Sequence, residues 1–97
     1  MISNEKKHTL IHFHAAWCSP CQTMEPIIDR IVKEFEYQLQ VLKVDVDELE
    51  QFAQYFKVQN VPAFILIEAE NILWKQAGIL TFAELKKVIS EHLSRNC

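Results

Sequence analysis

Residues 7–35 read KHTLIHFHAAWCSPCQTMEPIIDRIVKEF and place two cysteines between two patterns of apolar residues. Before the cysteines, the short apolar run at residues 10–13 predicts a buried strand. After them, apolar residues recur at helical spacing, which predicts an amphipathic helix from about Ser19 to Phe35. Cys18 and Cys21 therefore lie where a strand ends and a helix begins.

Downstream of this helix, the apolar patterns predict three further strands and two further helices. The strands correspond to the segments QVLKVDV, AFILI and ILWKQA, at residues 40–46, 63–67 and 72–77. Asp47, with Glu50 three residues on, is the expected cap of a short helix. Thr81 and Glu84 form a capping-box pattern before a final amphipathic helix.

The order β-α-β-α-β-β-α predicts an α/β fold built on one mixed sheet. Its alternation favours parallel pairing of the first two strands through a right-handed helical crossover, and the last two strands should form a hairpin. The length of 97 residues is that of one domain. We therefore expect a single domain over residues 1–97, with helices on both faces of the sheet.

The composition argues against two classes of partner. A net charge of -3 without clustered basic residues argues against nucleic acid as a partner. No apolar run approaches the ~18 residues of a membrane span. The first residues, MISNEKKH, contain no signal-peptide core. We therefore expect a cytoplasmic protein that binds neither nucleic acid nor a membrane.

The spacing of Cys18 and Cys21 is typical of thiol–disulfide exchange, in which one thiolate attacks and a second thiol resolves the mixed disulfide. At the start of a helix, free backbone N–H groups and the positive end of the dipole favour the Cys18 thiolate. Cys21 lies on the same helical face. Pro20 fixes the first turn, whereas Pro26 is expected to kink the helix.

Zinc binding is the alternative for this spacing, because C-x-x-C also begins many zinc sites. The remaining ligands would have to come from His8, His12, His14, His92 or Cys97. None of these forms a second knuckle, and a C-x-x-C between a strand and a helix favours redox chemistry. We expect no metal and no separate cofactor, exposed side chains at His8 and His92, and a non-functional chain end at Cys97.

The segments FHAAWCSPCQTMEPI and VDVDELEQFAQYFKVQNVPAF, together with the later Gly78, resemble the thioredoxin family. The resemblance covers roughly residues 9–95. It implies a thioredoxin-like fold with a four-stranded mixed sheet flanked by three helices. Since only about eight residues precede the first strand, the usual N-terminal strand and helix are expected to be missing.

The resemblance also implies roles for individual residues. Cys18 would be the nucleophile and Cys21 the resolving thiol. Pro62 would be a cis-proline that brings the Val61 backbone beside Cys18. The rim of the substrate groove would be formed by Trp17, Val61, Pro62 and Gly78. Lys43 would lie near the buried thiol. The implied partners are disulfide-containing proteins as substrates and a flavin-dependent reductase as electron donor.

His12 is the main departure from the family, which usually has a buried Asp beneath the active site. An imidazole with an ordinary pKa near 6.5 could take the proton of Cys21, directly or through water. The alternative is a buried neutral His12 whose ring is satisfied by a backbone group. A second departure is Ser19 between the cysteines, where the family commonly has Gly, which leaves the direction of electron flow open.

The missing N-terminal strand would leave the strand at residues 40–46 at an exposed sheet edge. Because bare edges invite pairing, we expect either a monomer or a weak dimer. The function that we expect is an enzyme, a protein-disulfide reductase that works through Cys18 and Cys21. The alternatives are a dedicated redox relay for one partner and a non-catalytic binding module with the same fold.

Overall fold

A computed structural model of the protein describes residues 6–94. Within these residues, four strands and three helices follow one another in the order that the sequence predicts. The strands are β1 (His8–His14), β2 (Leu39–Asp45), β3 (Ala63–Glu68) and β4 (Asn71–Ala77). The helices are α1 (Ser19–Glu34), α2 (Glu50–Tyr55) and α3 (Phe82–Ser94). None of these helices is long and apolar enough to cross a membrane.

The four strands form one mixed sheet in the order β2-β1-β3-β4. β1 pairs in parallel with β2, so that His12 lies opposite Lys43. β3 is antiparallel to both β1 and β4, and the β3–β4 pair is the expected hairpin. The predicted mixed four-stranded sheet with three helices is therefore confirmed, and β2 is an edge strand within residues 6–94.

Alternation along β1 sends its side chains into two cores on opposite faces of the sheet. Leu10 belongs to the core beneath α1 and α3, with Met24, Ile28 and Leu85. Ile11 and Phe13 belong to the other core, which includes Ala53 of α2 and Ile65 of β3. Helices thus cover both faces, as expected. His12 shares a face with Leu10, which turns its side chain toward α1.

Of the two predicted helix caps, the one at α3 is confirmed and the one at α2 is wrong. At α3 the capping box is confirmed, because Thr81 N donates to Glu84 Oε1 (2.9 Å) and Glu84 N donates to Thr81 Oγ1 (3.1 Å). At α2 the prediction is wrong. The N-cap is Leu49, which makes no side-chain capping bond. Asp47 lies in the preceding loop, whose backbone is held by Asp45 Oδ1.

Two further expectations are also wrong. His8 is buried, since it lies on the same face of β1 as Leu10. His92 is half-buried, and its Nδ1 lies 3.3 Å from the carbonyl oxygen of Val88.

Pro26 lies inside α1, which continues on both sides of it. Cys97 lies outside the described residues.

Candidate active site

The two cysteines of the site form a disulfide at the N-terminus of α1. Cys18 is the N-cap residue and has an extended backbone, and Ser19 and Pro20 begin the helix. The Cα atoms of Cys18 and Cys21 are 5.3 Å apart, which is an ordinary separation for a bridged pair. The helix thus brings the two sulfurs together without any rearrangement of its backbone.

Cys18 Sγ accepts a hydrogen bond from the backbone N–H of Cys21, with an N to S distance of 3.1 Å. This N–H is one of the groups at the helix N-terminus that have no carbonyl partner within the helix. It is therefore a donor that stabilises negative charge on Cys18 Sγ when the disulfide is opened, and the helix dipole acts in the same direction.

Both sulfurs are packed among small apolar side chains. Cys18 and Cys21 are 4% and 3% exposed, and they form a small cluster with Ala15. Half-buried Val46 and Val61 pack against this cluster from neighbouring loops. A thiolate can attack this disulfide, or a thiolate released from it can attack a substrate. Either reaction therefore takes place at an apolar surface with limited access for water.

A cleft of about 200 Å³ lies beside the cluster. Its lining consists of Trp17, Val46, Val58, Gln59, Asn60 and Val61. Trp17 is 70% exposed, and its Nε1 donates a hydrogen bond to Asp47 Oδ2 at 2.8 Å. This bond crosses 30 residues of sequence and gives Asp47 a function other than the helix cap that its local sequence suggests.

Pro62 follows Val61, a residue of the cleft lining, and is bonded to Gly78. The Val61–Pro62 peptide bond is cis, and the backbone N–H of Gly78 donates to the carbonyl oxygen of Pro62 at 2.8 Å. Gly78 has a φ of +102°, a conformation that other residues rarely adopt. A Cβ at Gly78 would meet nothing within 4 Å. The backbone conformation thus requires glycine, whether or not a substrate passes over it.

His12 lies near the C-terminal end of β1 and is completely buried. Neither ring nitrogen has a hydrogen-bond partner among the described residues, and the ring is stacked on Phe64 at 4.9 Å between centroids. The His14 ring is 5.7 Å away. The alternative of a His12 ring satisfied by a backbone group is therefore wrong.

Burial lowers the pKa of His12 to about 4, and the positive charges of His14 and Lys43 act in the same direction. The expectation of an ordinary pKa near 6.5 is therefore wrong as well. Its physical cause is desolvation, because charging an imidazole without hydrogen-bond partners in an apolar core is costly. Near pH 7 the ring is neutral, with one nitrogen lone pair available.

Lys43 lies on the edge strand beside His12. Its Nζ is 3.5 Å from Glu25 Oε2, and both side chains are about half exposed. The lysine thus forms a surface ion pair between β2 and α1, and it acts on His12 through its charge alone.

Residues 6–94 contain no group of three or more His, Cys, Asp or Glu side chains that could hold a metal ion. The two cysteines of the motif are bonded to each other instead. A contact that sequence analysis missed is the one between Met24 Sδ and the backbone N–H of Leu80, at 3.5 Å. It holds the loop after Gly78 against α1, and no local pattern in the sequence signals it.

This chain resembles known proteins in both sequence and structure. The sequence model of the family described as thioredoxin matches residues 1–91. A thioredoxin of Buchnera aphidicola is 32% identical over 92 residues, which are 95% of this chain and 84% of the relative. Thioredoxin 1 of Chlorobaculum tepidum is 30% identical over 89 residues, with 92% and 88% of the two chains covered.

Solved structures show the same likeness. The crystal structure of the germline-specific thioredoxin Deadhead from Drosophila melanogaster superposes with a TM-score of 0.85 at 27% identity. The match covers 92% of this chain and 84% of the Drosophila chain. Sequence and structure therefore point to the same group of proteins.

Proposed function

The chain belongs to the thioredoxin family and is a thiol–disulfide oxidoreductase, and we propose that it works as a reductase of protein disulfides. The observation that carries this proposal is the position of Cys18 at the N-cap of α1, bonded to Cys21 and receiving a backbone N–H on its sulfur. This arrangement favours a thiolate at Cys18.

In the first step, the Cys18 thiolate attacks one sulfur of a substrate cystine. A bond forms between Cys18 Sγ and that sulfur, the substrate disulfide breaks, and the other substrate sulfur leaves as a thiolate. Trp17, Val61, Pro62 and Gly78 are the proposed walls of the groove in which the substrate chain lies extended. Trp17 and Val61 are supported by the cleft of about 200 Å³ that they line. Pro62 and Gly78 are supported by the hydrogen bond that joins them next to Val61.

In the second step, Cys21 loses its proton and attacks Cys18 Sγ. The bond between Cys18 and the substrate breaks, the second substrate thiolate leaves, and the Cys18–Cys21 disulfide forms. The substrate has then gained two electrons and the protein has lost two. An external dithiol returns them, and we propose a flavin-dependent reductase for this role on the family resemblance alone.

We propose that His12 takes the proton of Cys21 in this second step. A buried polar group without a partner costs about 1–3 kcal/mol, so two unpartnered ring nitrogens in the core call for a functional reason. The lowered pKa keeps the ring neutral and able to accept. It also makes the base weak, so the proton is held only briefly. Lys43 tunes this site through its charge.

The remaining proposals concern the whole molecule. We propose a cytoplasmic protein with a single domain over residues 1–97, present as a monomer or weak dimer. The dimer would form along β2, an edge strand within the described residues on which Gln40 and Leu42 are exposed. Sedimentation at low and high protein concentration tests this, since a dimer mass that appears only at high concentration supports weak pairing.

The reductase proposal is tested by insulin reduction with dithiothreitol as electron source. We expect activity in the wild type, loss to the uncatalysed background in Cys18→Ser, and full activity in Cys97→Ser, which controls for the third thiol. When reduced Cys21→Ser is mixed with insulin after dithiothreitol has been removed, we expect a mixed disulfide between Cys18 and the substrate that is not released. Reversible oxidation of the dithiol without insulin reduction would favour a relay for one partner. Activity that survives Cys18→Ser would contradict the proposal.

A further inference from the structure

The proton that Cys21 loses in the proposed second step has no acceptor among the side chains of the cleft. Cys21 is 3% exposed, so contact between its thiol and bulk water is limited. The cleft is lined by Trp17, Val46 and residues 58–61, none of which has a side chain that titrates near neutral pH. The proton therefore leaves on the side of the sheet, where His12 is buried.

His12 is a suitable first acceptor, but the proton path cannot end there. Its side chain is completely buried, and neither ring nitrogen has a hydrogen-bond partner among the described residues. A charged imidazole at such a position is costly, so the proton does not remain on it. Each turnover removes one proton from Cys21, and one returns when an external dithiol reopens the disulfide. The buried ring therefore needs a neighbour that exchanges protons with water.

His14 is a neighbour of His12 that lies closer to solvent. Residues two apart in a strand share a face, and the centroids of the two rings are 5.7 Å apart, with an angle of 45° between the ring planes. His14 is the last residue of β1 and is half-buried, whereas His12 is completely buried. An imidazole has two ring nitrogens, so it can accept a proton at one and release a proton from the other.

The charged groups on the neighbouring elements are less suited to this role. Lys43, opposite His12 on β2, is positively charged and has no lone pair that could accept a proton. Glu25 on α1 is paired with the Lys43 ammonium at 3.5 Å. Asp45, opposite His14, accepts hydrogen bonds from the backbone of the loop that follows it. The side chain that β3 stacks on His12 is an aromatic ring that does not titrate.

On the basis of the proposed reductase function, we propose that His14 passes the proton of Cys21 from His12 to solvent. When Cys21 attacks Cys18, the proton moves from Cys21 to His12, then to His14 and then to water. A proton follows the reverse path when the disulfide is reduced. The positive charge of a protonated His14 lowers the pKa of His12. The two rings therefore do not hold protons together, and a proton that has reached His14 is released to water.

The test follows the two chemical steps separately, with an excess of a small aromatic disulfide whose released thiol is coloured. The parent protein carries Cys97→Ser, so that Cys18 and Cys21 are its only thiols, and it is fully reduced before mixing. Attack by Cys18 releases the first coloured thiol, and attack by Cys21 on the mixed disulfide releases the second. The second phase is intramolecular, so its rate does not depend on the reagent concentration.

In His14→Ala we expect an unchanged first phase and a second phase that is about tenfold slower, because a proton transfer is impeded. Added imidazole should restore most of the rate of the second phase by acting in the space that the side chain leaves. Pyrazole, a ring of the same size that is a much weaker base, should not restore it.

A second variant and a control complete the test. His14→Gln keeps a polar side chain of similar size but no basic nitrogen, and it should show the same slow second phase, also if the alanine variant does not fold. The matched control is Glu25→Gln, which removes the carboxylate nearest to Lys43 and should leave both phases unchanged.

A second phase at the parent rate in the His14 variants would overturn the proposal. Equal effects of imidazole and pyrazole would also overturn it, because they would assign a structural role to His14. In both cases the parent protein still releases two coloured thiols, so the reductase function stands. A parent protein that releases only one would contradict the resolving step of the reductase function and this proton path together.

Discussion

The two faces of β1 have opposite characters. On the face covered by α2, Ile11 and Phe13 are buried in an apolar cluster, and the Phe13 ring lies near those of Phe52 and Phe56. On the face covered by α1, His12 is equally buried but has two ring nitrogens without partners among the described residues. On the first face, the apolar side chains Ile11 and Phe13 stabilise the fold. On the second face, the unpartnered ring of His12, directly beneath the active-site end of the sheet, lowers the free energy of unfolding.

This difference indicates where the chain is optimised for stability and where it is not. A protein of this size is stable by only about 5–15 kcal/mol, so an unpartnered imidazole in the core is a substantial cost. Apolar residues of similar volume would fill the same space. The contrast between Phe13 and His12 can therefore be tested by substitutions that affect one face at a time.

The largest effect on stability is expected from Phe13→Ala. Truncation of a fully buried aromatic side chain leaves a cavity and should lower the free energy of unfolding by about 3–5 kcal/mol. Urea denaturation measures this. The folded fraction should still form the Cys18–Cys21 disulfide, because neither cysteine belongs to the cluster that contains Phe13. A stability change below about 1 kcal/mol would contradict the role given to this core.

The next effect is a pH dependence that comes from His12. Its pKa is about 4 in the folded protein and 6.5 when unfolded, so between these values the unfolded chain binds a proton that the folded one does not. Stability should therefore fall as the pH decreases from 7 to 4, by about 3 kcal/mol in total. Below about pH 4 both states are protonated and the slope from this group ends.

The variant His12→Leu isolates this contribution. The difference in unfolding free energy between variant and wild type should grow by about 3 kcal/mol from pH 7 to pH 4. Denaturation curves at several pH values give this difference directly. Parallel pH dependences of the two proteins would contradict the lowered pKa.

A smaller effect is expected from the same variant at pH 7. A leucine side chain in place of His12 has no polar atoms that need a partner, so His12→Leu should raise the free energy of unfolding by about 1–3 kcal/mol. Release of the mixed disulfide, followed with a peptide substrate, should become slower in the same protein, because Cys21 would lose its proton acceptor. A variant that is both less stable and equally active would show that His12 has a structural role only.

The smallest effect is expected at the cap of α3, whose two hydrogen bonds are at the surface. Thr81→Ala removes the side-chain partner of the Glu84 N–H and should cost about 1 kcal/mol. Redox activity should be unaffected. The measurement is again urea denaturation, and a loss of activity at unchanged stability would contradict a purely structural role for this cap.

The sequence predicts the features that depend on neighbouring residues and misses those that depend on residues far apart in the chain. Strands, helices and the Thr81–Glu84 cap were predictable, since each depends on residues a few positions apart. The cap at Asp47 was not, because its carboxylate is bound by Trp17, 30 residues away. The pKa of His12 depends on burial first and then on the charges of His14 and Lys43. Phe64, which is stacked on the ring, and Lys43 come to lie beside His12 only through the register of neighbouring strands. The cysteine pair was predictable as a redox site because its spacing is local.

In the proposed mechanism, Cys18 is the attacking thiol and Cys21 is the resolving thiol. The most direct measurement is brief alkylation of the fully reduced protein at pH 7 with a limiting amount of iodoacetamide, followed by mass spectrometry of the peptides. We expect Cys18 to be modified first and by a wide margin, because its sulfur accepts a hydrogen bond from the Cys21 N–H at the helix N-terminus. Equal modification of both residues, or faster modification of Cys21, would contradict it.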